Sequence, residues 1–410
     1  MESAATPAIP AHLGEMTRTW LDAQLRAGGF IDERNSVAGF EVEPLGDGEG
    51  FVGELGRLRL QYERDAAGAP ETVIAKTPSR LDANRGLGVM MGAYENEIRF
   101  YKELRSKVGV PVPACFGATL TAEPRASIVA NRVMGQLPGD ITMRLLDKLT
   151  AAAARSPRRF GLLIEDMHDA VPGDQVAGAS FDDAATALRA LATVHARFWD
   201  SPHLRRSWLR PMDTNRGFTQ ALFRRAWPTF VERYRQVLPP EVVTLGNYLV
   251  DHGEGLLGWS GTTRRTLTHG DFRLDNILYN RDDRGHVTII DWQGIGSGNG
   301  LTDVAYFLRT NVKPEIADSV EDDLVAVYHE ALCAHGVRGY SLEQCRADYR
   351  LGLAALLHRG ALLVGLLDLS HERGQAIVDR AIERSSPKLA EITPAELQAQ
   401  GIRATRATGR

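Results

Sequence analysis

The sequence predicts an α+β protein of two unequal lobes: a small β-rich one over residues 1–166 and a larger, mainly helical one over residues 167–410. Three observations predict it. Residues 40–78 hold three runs of strand character separated by glycine- and proline-rich turns. From Ser180 onward, apolar residues recur at helical spacing. Between His269 and Asp291 a polar loop and a short buried strand interrupt those helices.

Residues 15–27 have the composition of a short leading helix. The strands follow as F-E-V-E-P-L, F-V-G-E-L-G-R-L-R-L-Q-Y-E and E-T-V-I-A-K-T-P, the last two joined by the hairpin turn R-D-A-A-G-A-P. Between the first two lie Gly46, Gly48 and Gly50, which would let the backbone approach phosphate oxygens with its N–H groups inward. Asp47 and Glu49 are then expected to point to solvent. Lys76 ends V-I-A-K, and the next helix offers it two acids, Glu95 and Glu97. At 100° per residue, Glu97 falls within the apolar stripe of Tyr94, Ile98, Tyr101 and Leu104, and Glu95 falls outside it. A carboxylate on a packing face is costly unless paired, so Glu97 is expected to meet Lys76 and Glu95 to be solvated. Segment 118–158 fits neither lobe's pattern and reads as an insertion. Then F-G-L-L-I-E-D-M-H-D-A-V-P-G reads as a strand running into a linker.

The helical lobe opens with Ser180 and Asp183 at capping-box spacing. Phe181, Ala184, Leu188, Leu191, His195 and Phe198 share one face, which makes His195 a core residue rather than a base. Further helical patterns cover 216–257, the segment from T-D-V-A-Y-F-L, 320–335, 341–369 and 372–384. The apolar run Leu351–Leu369 carries His358, Arg359 and Asp368, so it suits a protein interior and not a bilayer.

Chemistry concentrates in H-G-D-F-R-L-D-N-I-L-Y-N and V-T-I-I-D-W-Q, which place Asp271, Asn276 five residues on, and Asp291 after an apolar strand. One carboxylate to orient a hydroxyl and take its proton, with two oxygen ligands for Mg2+, is what phosphoryl transfer requires. Asp271 fits the first role; Asn276 and Asp291 fit the second. Protein kinases space the same groups as H-R-D-x-x-x-x-N followed by a second metal-binding Asp.

These segments resemble the aminoglycoside phosphotransferase and choline kinase superfamily, with L-T-H-G-D-F-R-L-D-N-I-L-Y and I-I-D-W-Q-G-I-G-S-G-N-G-L-T-D-V-A-Y-F-L most similar to its ecdysteroid-kinase-like branch. The resemblance spans roughly residues 40–370. It implies a bilobal protein-kinase-like fold and ATP- and Mg2+-dependent phosphorylation of a small-molecule hydroxyl. It also implies that Lys76 holds the α- and β-phosphates, and that Glu165 (carbonyl) and Met167 (N–H) receive the adenine. S-I-V-A-N-R-V-M-G is a competing hinge.

Arg273 either clamps the γ-phosphate or bridges to Asp275 or a carboxylate of the larger lobe, and Trp292 either packs beneath the metal site or touches substrate. His269 and Asp303 are expected to buttress the catalytic loop. No D-F-G or A-P-E frames a peptide platform, which disfavours a protein kinase. An apolar or anionic alcohol is the expected acceptor, because the arginines of the larger lobe do not suit a polycation. An aminoglycoside-type kinase and a nucleotide-binding pseudokinase are the alternatives.

A net charge of −4 and a pI near 6.3 argue against nucleic-acid binding. Cys115, Cys333 and Cys345 are too scattered for a disulfide framework, and the amino terminus lacks signal-peptide character. A reducing, cytoplasmic setting is expected.

Overall fold

The computed structural model describes residues 7–45, 53–122, 139–262, 264–366 and 372–403. The fold is α+β, with a sheet in the amino-terminal part and helices in the carboxy-terminal part. Helix α1 (Arg18–Ala27) is capped by Thr17, whose side chain accepts from the Trp20 N–H. Strands β1 (Val37–Pro44), β2 (Gly53–Tyr62) and β3 (Thr72–Pro78) follow, then α2 (Asp82–Met91), α3 (Ala93–Arg99), β4 (Cys115–Leu120), α4 (Gly139–Ala154) and β5 (Phe160–Glu165). The five strands form one antiparallel sheet in the order β1-β2-β3-β5-β4.

Period-two alternation decides what this sheet presents to each side. Leu58, Leu60, Val73 and Ala75 are buried with Trp20, Leu21 and Leu25 of α1 in a separate small core. The intervening residues Leu55, Arg57, Ile74 and Lys76 line the cleft on the opposite face. Lys76 is thus aimed by the strand itself.

The segment expected as an insertion supplies α4, which packs on α2, where Arg85 Nε donates to the Ala154 carbonyl at 3.0 Å. The competing hinge, residues 127–135, lies outside the described residues, as do Gly46, Gly48 and Gly50.

The larger part contains α5 (Phe181–Arg197), α6 (Arg216–Tyr234), α7 (Pro240–Thr262), α8 (Leu301–Asn311), α9 (Pro314–Ala334), α10 (Leu342–Leu366), α11 (Glu372–Leu389) and α12 (Pro394–Ala399). Ser180 Oγ accepts from the Asp183 N–H at 3.2 Å, the capping predicted for α5. His195 is fully buried, with Nδ1 2.7 Å from the Tyr328 hydroxyl, and belongs to the core. Short strands carry the loops of interest: β6 (Val171–Pro172) ahead of α5, then β7 (Thr266–Thr268), β8 (Ile277–Tyr279), β9 (Val287–Ile289) and β10 (Gly296–Gly298) between α7 and α8. β8 pairs with β6 and β9, and β7 with β10. Among the described residues no helix is long and apolar enough to cross a membrane.

Candidate active site

A cavity of about 620 Å³ lies between the five-stranded sheet and the β7–β10 loops. Lys76, Glu97, Glu165, Met167, Asp271, Arg273, Asn276 and Asp291 all line it. Its size is that of a nucleotide or cofactor pocket.

Lys76 Nζ is 2.7 Å from Glu97 Oε1 and 2.8 Å from Asp291 Oδ1. Burial works against the ammonium, but Asp291 and Glu97 outweigh it and raise the Lys76 pKa. Burial, offset only in part by Lys76, raises that of Glu97. Helical phase therefore separates the two acids as expected. Glu95, expected to be solvated, is instead half-buried and paired with Arg99 at 2.7 Å and Arg158 at 2.9 Å. The second partner comes from the segment whose pattern was unreadable.

The catalytic-loop backbone is held from below. Asp303 on α8 accepts from the His269 N–H at 2.7 Å and the Gly270 N–H at 3.0 Å. His269 Nε2 faces the Ile290 carbonyl at 3.0 Å, so Nδ1 is left to accept from the Asp271 N–H at 3.3 Å. Burial lowers the His269 pKa, so the ring is neutral and acts as a brace. Gly270 has φ +77°, and a Cβ there would stand 2.1 Å from the Gly294 carbonyl oxygen. No other residue type fits between His269 and Asp271.

Asn276 donates through Nδ2 to the Asp271 carbonyl at 2.9 Å and to Asp271 Oδ2 at 3.1 Å, which turns its amide oxygen the other way. The Ile290 N–H donates to the Asn276 carbonyl at 3.0 Å and so brings Asp291 beside it. Asp291 adopts the left-handed conformation at φ 63°, a strained state for a non-glycine residue and one that concentrates at functional sites. Among the described residues no group of three or more His, Cys, Asp or Glu could hold a metal alone. An Asn–Asp oxygen pair does fit Mg2+, which keeps waters and takes further ligands from substrate phosphates.

The Asp271 carboxylate is surrounded. Arg273 Nε approaches Oδ2 at 3.1 Å, while Arg359 Nη2 lies 2.8 Å and the Tyr306 hydroxyl 3.3 Å from Oδ1. Burial alone would raise its pKa, yet the Arg273 and Arg359 guanidiniums outweigh that and hold it below the usual aspartate range. Arg273 also bonds Asp275 at 2.9 Å, the bridge expected as the alternative to a phosphate clamp. Trp292 is fully buried, stacked on Phe100 with centroids 4.0 Å apart, and packs under the site without lining the cavity.

Three contacts carried no signal in the motifs. Arg359 and Tyr306 reach Asp271 from separate helices, and Arg57 forms a forked pair with Asp166 at 2.6 and 3.2 Å, next to Glu165 and Met167.

The ecdysteroid kinase-like family matches residues 149–337 of this chain. A comparison with curated proteins found no match. Among solved structures, choline kinase from Cryptosporidium parvum Iowa II superposes with a TM-score of 0.51 at 11% identity, covering 94% of this chain and 97% of the other. Plasmodium vivax ethanolamine kinase gives 0.44 at 9% identity with 90% of each chain covered. Amicoumacin kinase, solved with AMP-PNP and Ca2+, gives 0.45 at 12%, covering 90% of this chain and 94% of its own. The resemblance read from the motifs is borne out over residues 149–337, which match the ecdysteroid kinase-like family, and the fold is that of the choline kinase structure.

Proposed function

We propose that this protein is an ATP- and Mg2+-dependent phosphotransferase acting on a hydroxyl of a small molecule, an apolar or anionic alcohol. The observation that carries this reading is the convergence of Lys76 with Asp271, Asn276 and Asp291 on one cavity, although Lys76 lies 195 or more positions before the other three. The acceptor oxygen attacks the γ-phosphorus, the bridging bond to the β-phosphate breaks, and ADP leaves. Asp271 orients the hydroxyl and takes its proton as the new P–O bond forms. A loose transition state asks little of the base, so a carboxylate with a lowered pKa suffices.

Lys76, positioned by Glu97, serves the α- and β-phosphates, and Arg273 the γ-phosphate. Glu165 and Met167 serve the adenine through their backbone at a hinge between residues 1–166 and 167–410. Asn276 and Asp291 would hold Mg2+, whose chemistry is to neutralise charge on the phosphate oxygens.

The arginines on the acceptor side of Asp271 oppose a polycationic aminoglycoside. Three free cysteines suit a reducing compartment such as the cytoplasm. The test is incubation of the purified protein with Mg2+-ATP and a panel of hydroxylated metabolites, read by mass gain of one phosphate and by thermal shift with the nucleotide. Stabilisation by Mg2+-ATP with phosphorylation of at least one alcohol is expected. Stabilisation with no turnover on any hydroxyl or on water would leave a pseudokinase; no stabilisation would end the reading.

A further inference from the structure

We propose that Arg359 is a latch on the catalytic carboxylate, released by an anionic group carried next to the acceptor's hydroxyl. The proposal rests on Asp271 being the base and narrows the acceptor to anionic alcohols.

A carboxylate offers about four lone-pair sites. At Asp271 each oxygen already meets two donors: Tyr306 and Arg359 on Oδ1, Arg273 and Asn276 on Oδ2. An acceptor hydroxyl must donate to one of these oxygens before Asp271 can take its proton, so one resident donor has to leave.

Three of the four are tied down. Asn276 is buried and bonded also to the Asp271 carbonyl. Tyr306 is buried within α8. Arg273 is held additionally by Asp275 and Gln175. Arg359 reaches in from α10, its side chain is 35% exposed, and its other contacts are the Gly270 carbonyl and the face of Tyr306, 4.2 Å from the ring centroid. Its Nε is buried without a hydrogen-bond partner among the described residues, so the guanidinium is not fully satisfied where it sits.

A displaced guanidinium needs a destination. Among the described residues, a narrow, mainly apolar crevice of about 30 Å³ lies behind Tyr306 and Arg359, walled by Phe230, Leu356, Leu357 and Ile382. Asp303, the other acid acting on Arg359, is engaged by the His269 and Gly270 N–H groups. Drawing an arginine off a part-buried carboxylate is costly unless a second anion receives it. A carboxylate or phosphate group beside the acceptor hydroxyl supplies that anion in the planar geometry guanidinium prefers. Water carries no such group, so the latch also restrains futile hydrolysis of ATP.

The experiment reads ADP release from Mg2+-ATP with water as acceptor: water attacks the γ-phosphorus, the bridging bond breaks, inorganic phosphate and ADP leave, and the proton passes to Asp271. Wild type, Arg359→Met, Arg359→Lys and Asp271→Asn are compared with acetate or methylphosphonate added against chloride at constant ionic strength. These two anions separate a carboxylate from a phosphate-like group. Wild type should be slow and stimulated about tenfold by one of the anions, part of the 10²–10⁴-fold or so that a fully freed base supplies. Arg359→Met should be faster without anion and indifferent to it, and Arg359→Lys should keep a weaker stimulation, which excludes simple misfolding. In the metabolite panel, hydroxy acids should outperform their methyl esters for wild type, and Arg359→Met should lose that preference.

An Asp271-dependent rate that no anion stimulates in wild type overturns the latch and leaves the kinase reading standing. So does stimulation that survives in Arg359→Met. A rate no higher than that of Asp271→Asn under every condition overturns the kinase reading and the latch with it.

Discussion

Lys76 on β3 lies 2.8 Å from Asp291, 215 positions later, and so pins the sheet to the loop after β9. Replacing it with methionine removes a cation from between two acids, Asp291 and Glu97. Hydrogen bonds to charged groups are worth about 1.5–3 kcal/mol, so the affinity of Lys76→Met for a non-hydrolysable ATP analogue should fall by roughly 10–100-fold. Titration calorimetry measures it, and an unchanged Kd would remove Lys76 from the phosphate site.

Asp271→Asn keeps the shape of the side chain and its acceptor oxygen but cannot take a proton. Turnover should drop by about 10²–10⁴-fold while analogue binding stays near wild type. Retained turnover would mean that another group serves as base.

Asp291→Asn weakens one of the two protein oxygens suited to Mg2+. The concentration of Mg2+ giving half-maximal rate should rise, and chelation with EDTA should abolish turnover in both proteins. Identical Mg2+ titration curves would argue against the metal role.

Trp292 stacks on Phe100 with centroids 4.0 Å apart and meets the tilted ring of His269 at 4.8 Å. Truncation to alanine should cost about 3–5 kcal/mol in denaturant unfolding, as for other large buried aromatics. Trp292→Phe, which keeps the stack, should lose less. Equal losses would show that the stack adds nothing.

His358 is buried against Phe223, and burial pushes its pKa down to about 3 from an ordinary value of 6.5. Above pH 6.5 both folded and unfolded chains carry it neutral, and it contributes no pH dependence. Below 6.5 the unfolded chain binds a proton that the fold cannot, so stability falls as pH drops toward 3, by up to about tenfold in the folding equilibrium per pH unit. His358→Gln should flatten that decline in urea melts between pH 6.5 and 4.5; parallel curves would show that His358 titrates normally.

Some of this was legible because it is local. Asp271, Asn276 and Asp291 announce themselves through fixed spacing along a loop and strand, and a short-range chemical requirement leaves a short-range pattern. Glu97 could be told from Glu95 because helical phase is a property of sequence. The solvated state expected of Glu95 was wrong because Arg158, its partner, belongs to another element. Gly270 was visible as a substitution in the H-x-D pattern, but its cause, the Gly294 carbonyl lying against it, is a contact between two loops.

What the chain determined unaided is therefore which acids and amide its motifs hold at fixed spacing, and which strand and helix faces present Lys76 and Glu97. Periodicity and spacing encode those directly. What only the tertiary structure decided is the company those groups keep. Arg359 stands 88 positions from Asp271 on a helix with few exposed residues, so no polar stripe distinguishes it. Its position on the base follows from how α10 packs against α8 and the catalytic loop, and packing between distant elements leaves no periodic trace in the residues that take part.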